Sequence, residues 1–179
     1  MRCPCMVLAP LLHSGWGCGG SLGDVTGVPL FMKIGITGSR TITDFDFVPY
    51  FTMRNREFRA FCRMHGLGRR KVTAVVSGGA RGVDTLAYRA AEALEIRNIQ
   101  FLPDRERFPG RLIARAFHER NRRIAECCDV LLAVWDGKSP GTKNTLVCAR
   151  KINKPVFRII VDPAAVSVLS ETGAEDRGK

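Results

Sequence analysis

The sequence lacks the features that would mark a membrane, disulfide-rich or structural-zinc protein. No apolar run reaches the roughly 18 residues that a membrane-spanning helix needs. Seven cysteines are present, but no CxxC pair occurs, and the odd count fits no secreted disulfide framework. A zinc site built from Cys127, Cys128 and His118 is disfavoured, because adjacent helical side chains point in different directions. We therefore expect a cytoplasmic protein with reduced thiols, no metal and no membrane partner.

Acidic residues are scarce relative to basic ones. The chain has 28 Lys+Arg against 17 Asp+Glu, which gives a formal net charge of +11. This imbalance favours anionic partners such as nucleotides, nucleic acid or an acidic protein, although a solvated basic surface would give the same count. The length of 179 residues, with 45% hydrophobic and 25% charged residues, is typical of one globular domain.

Residues 1–31 differ in composition from the rest, with few charges and many glycines, prolines and cysteines. The apolar stretch Met6–Leu12 is short and contains Pro10, so it does not resemble a signal peptide. We expect residues 1–31 to be a poorly ordered extension, and because MKIGITGSR at Met32 resembles the start of a domain, we expect either that translation begins there or that the extension is dispensable. Residues 32–162 are then one domain, and residues 163–179 form a tail.

From Met32 onwards, β-branched runs alternate with segments of helical periodicity. Such alternation predicts an α/β fold: an open parallel sheet of about five strands with helices on both faces. The predicted strands are Lys33–Thr37, Val72–Ser77, Asn98–Leu102, Asp129–Trp135 and Pro155–Val161. The predicted helices are Phe45–His65, Gly82–Glu95, Pro109–Cys127 and Gly141–Ile152. In such sheets ligands bind at the carboxyl ends of the strands.

Three glycine-containing loops follow predicted strands at that edge. They read TGSR, SGGARGVD and DGKSPGT, and none matches the GxGxxG dinucleotide fingerprint or the GK[ST] of a P-loop. Glycines let the backbone approach an anion, helix N-termini carry partial positive charge, and arginine offers a fork for phosphate. The candidate ligand-binding residues here are Gly38, Ser39, Arg40, Gly78, Gly79, Arg81, Asp84, Gly137, Gly141 and Thr142.

Two of these assignments have a structural alternative. Arg40 in TGSR fits an anion site or a plain turn with a solvated arginine. Asp84 lies in the first turn of a predicted helix, where it could accept a hydrogen bond from a sugar hydroxyl or simply stabilise that turn. The sequence pattern leaves both alternatives open.

The predicted helix Pro109–Cys127 is strongly basic. A solvated face explains most of its arginines, but Arg120 and Asn121 stand out because asparagine is an uncommon choice within a helix. His118 is interpreted as a surface histidine rather than a catalytic base. No Ser–His–Asp or Cys–His pairing is supported by spacing, so catalytic residues are not assigned.

Five segments together resemble the SLOG superfamily in order and position. They are MKIGITGSRTITD, VVSGGARGVDTLA, FLPD, ERNRRI and VWDGKSPGTKNTLVCARKINKPV. Across residues 32–161 they are most similar to the YspA/YpsA-related (YAcAr-like) branch of small bacterial and phage proteins. The resemblance implies a Rossmann-like fold that binds a nucleotide or nucleotide-derived ligand at the paired glycine loops, with no other cofactor. It also makes a homo-oligomer an expectation.

More distant resemblances imply two alternative functions. The Lonely-guy phosphoribohydrolases cleave a nucleotide N-glycosidic bond with a glutamate in PGGxGTxxE, but Thr145 stands in its place here, and a hydroxyl is a poor substitute for that carboxylate. DNA-processing protein A shares GSR, SGGARGxD and RNR, which implies binding of single-stranded nucleic acid. A basic stripe on the helix would suit that partner: Arg111, Arg115, Arg122 and Arg123.

Overall fold

The computed structural model describes residues 31–162. Five parallel strands form one sheet in the order β3-β2-β1-β4-β5, which confirms the predicted α/β class. The strands are β1 (Phe31–Gly38), β2 (Lys71–Ser77), β3 (Arg97–Gln100), β4 (Val130–Trp135) and β5 (Val156–Ile160). Residues 1–30 of the predicted extension and the tail at 163–179 lie outside the described range. Phe31 itself opens β1 and is paired with Lys71.

Helices cover both faces of this sheet. The α-helices are α1 (Val48–Phe51), α2 (Arg56–Met64), α3 (Val83–Ala93), α4 (Ile113–Cys127) and α5 (Pro140–Lys151). On one face, α1, α2 and α3 bury side chains such as Phe58 and Ala87 against β1 and β4. On the other face, α4 and α5 contribute Ile124 and Leu146 to a second apolar cluster. The alternating chain therefore folds into three layers.

Two predicted helices differ in detail from the structure. The single helix expected over Phe45–His65 is wrong, because the chain breaks between α1 and α2. Met53 has a φ of 56°, and the Asn55 side chain then caps α2 by accepting from the Phe58 N–H at 2.8 Å. The helix expected from Pro109 begins instead with a 3-10 turn, Gly110–Leu112.

The central position of β1 determines where the three glycine-containing loops lie. Because β1 is flanked by β2 and β4, the loops after these three strands meet at the same carboxyl edge of the sheet. Each leads into the N-terminal side of a helix or a turn that packs on that edge. Within residues 31–162, no helix is long and apolar enough to cross a membrane.

Gly35, in the middle of β1, lies close to Cys128 at the end of α4, so a substitution there measures how tightly the sheet packs against that helix. A Cβ at this position would lie 2.6 Å from Cys128 Sγ and 2.9 Å from Cys128 Cβ. We expect Gly35→Ala to lower the free energy of unfolding by about 1–3 kcal/mol, the usual cost of overpacking. The matched control is Gly141→Ala, where nothing lies within 4 Å of the added Cβ. Equal denaturant midpoints for the two variants would contradict the packing.

Candidate functional site

A cleft of about 520 Å³ opens at the carboxyl edge of the sheet. It lies between the loops after β1, β2 and β4 and the helices α4 and α5. Its lining residues are Thr37, Gly38, Arg40, Thr41, Ala80, Asp84, Phe117, Arg120, Asn121, Asp136, Lys138, Ser139, Pro140, Gly141, Thr142 and Thr145. Its volume is in the range of pockets that hold small organic ligands.

Ser39 holds the three loops together from below the cleft. It is fully buried, and its N–H donates to the Val134 carbonyl at 3.1 Å. Its hydroxyl accepts from the Asp136 N–H at 3.1 Å, and its carbonyl accepts from the Val83 N–H at 3.4 Å. Ser39 is not among the residues that line the cleft. Its contact with a ligand therefore stays a prediction, and the contacts that the structure shows are those with the neighbouring loops.

Asp136 organises the loop after β4. One carboxylate oxygen accepts from the N–H groups of Lys138 and Ser139, both at 2.9 Å, and the other accepts from the Thr41 hydroxyl at 2.9 Å. Partial burial raises the pKa of Asp136, but hydrogen bonds from Ser39, Ser139, Lys138 and Thr41 outweigh it and hold the pKa well below its ordinary value. Asp136 is therefore ionised at neutral pH and is committed to the loop.

Asp84 organises the loop after β2 in a similar way. Its Oδ2 accepts from the N–H groups of Gly78 and Ala80, each at 3.1 Å, and the residue is only 4% exposed. Burial raises the pKa of Asp84, more than the two backbone hydrogen bonds and the nearby Arg120 and Arg40 lower it. Because the carboxylate already occupies the loop's N–H groups, this loop offers a ligand fewer backbone donors than its glycines suggest.

Arg120 projects from α4 across the buried Gly78. A Cβ at Gly78 would overlap the Arg120 guanidinium, so the guanidinium can occupy this position only beside a glycine. Burial lowers the pKa of Arg120, although Asp84 opposes this shift. Its Nε is buried and has no hydrogen-bond partner within the described residues. The guanidinium carbon lies 5.9 Å from the ring centre of Phe117, which also lines the cleft.

The start of α5 forms the opposite wall. Ser139 caps the helix by accepting from the Thr142 N–H at 3.4 Å and from the Thr142 hydroxyl at 3.1 Å. The Asn121 amide donates to the Gly141 carbonyl at 3.4 Å and to Asn144 Oδ1 at 3.0 Å, which ties α4 to α5. The buried Thr145 hydroxyl donates to the same Gly141 carbonyl at 3.1 Å.

The structure brings seven of the predicted ligand residues to the cleft and leaves five outside its lining. Those at the cleft are Gly38, Arg40, Asp84, Arg120, Asn121, Gly141 and Thr142. Those outside the lining are Ser39, Gly78, Gly79, Arg81 and Gly137. Arg81 instead lines an adjoining cavity with Arg40 and Ala80. Among the described residues, no group of three or more His, Cys, Asp or Glu side chains could hold a metal ion.

Several cleft residues were not among the predicted ligand residues. Thr41, Phe117 and Ser139 all line the cleft. The serine before Pro140 carries the signature of a helix N-cap, so its position could have been read from the sequence. Nothing in the sequence pattern distinguishes Phe117 from a core residue. Phe117 reaches the cleft because α4 lies over the carboxyl edge of the sheet.

Asp136 and Asp84 should respond oppositely to acid. The depressed pKa of Asp136 means that its charge stabilises the fold at neutral pH, and this contribution is lost as pH falls below about 3.9, the ordinary value. The raised pKa of Asp84 means that its protonated form stabilises the fold at pH values below the ordinary carboxyl pKa. This contribution to stability is lost as pH rises through the pKa of Asp84 in the folded protein.

Urea unfolding of the wild type, Asp136→Asn and Asp84→Asn between pH 3 and 7 checks this. The advantage of the wild type over Asp136→Asn should shrink with acid, whereas its advantage over Asp84→Asn should grow. Parallel pH profiles for the two variants would contradict the assignment.

Two solved structures are partly similar to this chain. No family model and no curated protein matches the sequence. The chain is similar to DNA processing protein A from Helicobacter pylori, which binds single-stranded DNA, at 22% identity and a TM-score of 0.45 over 80% of this chain and 74% of that one. It is also similar to DNA processing protein A from Streptococcus pneumoniae, at 22% identity and a TM-score of 0.48 over 81% of this chain and 58% of that one. The chain thus spans less than two thirds of the Streptococcus pneumoniae protein.

Proposed function

We propose that the protein binds a nucleotide or nucleotide-derived ligand in the cleft at the carboxyl edge of the sheet. The observation that carries the proposal is the convergence of Arg40, Arg120 and Lys138 on a cavity of about 520 Å³ that also exposes the start of α5 and the Phe117 ring. Cations and helix N-termini both favour phosphate, and an aromatic ring favours a base. The combination suits a ligand with both parts.

In this proposal the phosphate lies at the start of α5 rather than on the loop after β2. The N–H groups of Gly78 and Ala80 already donate to Asp84, so they are not free for a phosphate. At the start of α5, the Lys143 N–H donates to the Ser139 carbonyl and the Thr142 N–H to the Ser139 hydroxyl. Gly141 is exposed and lines the cleft, and its N–H belongs to the helix turn that lacks intrahelical partners.

The remaining groups suit the other parts of a nucleotide. Asp84 lines the cleft and uses Oδ2 for the loop, which leaves Oδ1 to accept from a ribose hydroxyl. Phe117 packs against a base, with Arg120 beside it. Arg40, exposed at the rim, neutralises the phosphate from the side of β1.

Cleavage of the N-glycosidic bond by the Lonely-guy mechanism is not part of this proposal. Thr145 occupies the position of the catalytic glutamate of those enzymes. It is buried, and its hydroxyl donates a hydrogen bond to the Gly141 carbonyl. The two carboxylates that line the cleft, Asp84 and Asp136, are both held by backbone N–H groups. We therefore propose a protein that holds its ligand rather than one that hydrolyses it.

A thermal-shift screen of nucleoside mono- and diphosphates and ADP-ribose tests the binding. A ligand at about 100 times its dissociation constant should stabilise the fold by about 2.7 kcal/mol. Gly141→Val should abolish the shift, because the added side chain would occupy the cleft that Gly141 lines. The fold itself should tolerate the change, since nothing lies within 4 Å of the added Cβ. Arg40→Gln should weaken binding by about 10- to 100-fold, the usual worth of a charged hydrogen bond.

Two matched variants control for general effects. Ala114→Val adds the same kind of side chain on an exposed part of α4, and Arg59→Gln removes a charge from exposed α2. Neither residue lines the cleft, so both should retain wild-type shifts. If no compound shifts the melting temperature, or if Gly141→Val keeps the shift, the proposed site is wrong. Release of free base from the same panel would restore the hydrolase alternative.

Single-stranded nucleic acid is a second candidate, favoured by the way basic groups continue beyond the cleft. An adjoining cavity of about 500 Å³ shares Arg40 and Ala80 with the cleft and adds Arg81. The Arg123 guanidinium lies 4.6 Å from the ring centre of Phe101, an arrangement on which a base can stack. Arg111 and Arg115 of the predicted basic stripe are exposed, whereas Arg122 approaches Glu126 at 3.6 Å.

Salt dependence separates this candidate from mononucleotide binding. We expect the logarithm of the affinity for an oligothymidylate to fall linearly with the logarithm of salt concentration. Arg81→Gln should reduce the magnitude of that slope by about 1, which corresponds to the loss of one phosphate contact. Fluorescence anisotropy measures both. Arg89→Gln, which removes an exposed charge from α3, is the control. Equal affinities of a mononucleotide and the oligonucleotide, with equal slopes, would eliminate the nucleic-acid candidate.

A further inference from the structure

A second basic cavity lies at the opposite, amino edge of the sheet. It has a volume of about 530 Å³ and is lined by residues at or near the starts of β1, β2, β3 and β4. Three of these are cations on separate segments: Lys33 of β1, Arg70 just before β2, and Arg97 at the first position of β3. None of them belongs to the cleft described above.

Among the described residues that line the cavity, the three cations meet one carboxylate, that of Asp129. Its Oδ2 accepts from the Lys33 N–H at 2.7 Å, and its own N–H donates to the Lys33 carbonyl at 2.8 Å. Asp129 therefore joins β4 to β1 and forms no ion pair with any of the three cationic side chains. The ion pairs Arg107–Glu119 and Arg122–Glu126 involve none of these residues. The described lining of the cavity therefore has an excess of positive charge.

Arg70 supports the interpretation that this charge faces a ligand. The residue is half-buried, and its Nε is buried with no hydrogen-bond partner within the described part of the chain. Buried donors are nearly always paired, because an unpaired one has lost its hydrogen bonds to water without replacement. An oxyanion in the cavity would supply the acceptor that residues 31–162 do not.

The local strand geometry gives the cavity a defined polar and apolar lining. The pairing of β1 with β2 is irregular between Met32 and Lys33, where the partner shifts from Val72 to Ala74. The skipped Thr73 lines the cavity and donates its hydroxyl to the Met32 carbonyl at 3.4 Å. Such bulges are enriched where a strand re-aims side chains at a site.

The apolar side of the cavity restricts the class of ligand. Met32 and Ala74 are buried in its floor, Ile99 is half-buried, and the Phe31 ring is 62% exposed. A fully hydrated ion would make little use of these groups. We propose that this cavity is a second anion-binding site, which takes a phosphate monoester carried on an aromatic or apolar group.

Calorimetric titration of the full chain with phenyl phosphate tests the proposal, with inorganic phosphate as the comparison. Phenyl phosphate should bind more tightly than inorganic phosphate, and Arg97→Gln and Arg70→Gln should each weaken its binding tenfold or more. Because the cleft could also take this probe, the titrations use an Arg40→Gln background that weakens phosphate binding at the cleft, and Arg59→Gln, an exposed residue outside both cavities, should leave the remaining binding within twofold. Binding kept with Arg97→Gln and Arg70→Gln in this background would overturn the site, and equal affinities for the two phosphates would overturn the class of ligand.

The melting temperature without ligand distinguishes a binding role from a structural one. Because Arg97 is exposed and adds to a cluster of like charges, Arg97→Gln should leave the melting temperature unchanged or raise it. Arg69→Gln, which changes the exposed neighbour of Arg70 outside the cavity lining, is the matched control for both measurements. A lower melting temperature for Arg97→Gln, with unchanged phenyl phosphate binding, would show that the cluster serves the fold.

Discussion

Ser39 is the contact on which the geometry of the cleft depends. It directly follows the central strand, and its N–H, hydroxyl and carbonyl are hydrogen-bonded to β4, to the loop after β4 and to the start of α3 respectively. This is possible because β1 lies between β2 and β4, so a residue at its carboxyl end can reach both neighbouring loops. Gly38 and Gly82 permit the close approach, since a Cβ on either would collide with neighbouring backbone or with Val83. The position of the cleft walls thus follows from one buried serine and two glycines.

The same arrangement decides which charges remain for a ligand. The two carboxylates in the cleft accept hydrogen bonds from backbone N–H groups of their own loops, and although Asp84 attracts Arg120 and Arg40, neither carboxylate forms an ion pair with a cleft cation within the described residues. Arg40 and Lys138 have no carboxylate within ion-pair distance in the described part of the chain. Because Asp84 and Asp136 are hydrogen-bonded to their own loops, Arg40 and Lys138 remain without ion-pair partners among the described residues. This arrangement favours an anionic ligand.

The sheet, its edge and most of the cleft could be predicted from the sequence because they depend on local periodicity and on the rule that ligands bind at strand carboxyl ends. The break between α1 and α2 could not, since it depends on a positive φ at a non-glycine residue, Met53. The sequence predicts that Gly78 faces a ligand, which stays a prediction, whereas the structure shows a packing constraint that the sequence does not reveal: its missing Cβ leaves room for Arg120, a residue far away in sequence. Ser39 was assigned to a ligand because a loop hydroxyl has the same sequence signature whether it contacts a ligand or the backbone.

The two basic cavities differ in the kind of positive charge that they offer. In a parallel α/β sheet the helix N-termini lie at the carboxyl edge, so the cleft combines the partial charge at the start of α5 with Arg40, Arg120 and Lys138. The cavity at the amino edge has only side-chain cations, of which Arg70 is half-buried and Lys33 and Arg97 are exposed. Backbone donors are fixed by the fold, whereas exposed side chains are screened by salt. Anion binding at the amino edge should therefore be the more sensitive of the two to ionic strength and to the loss of a single arginine.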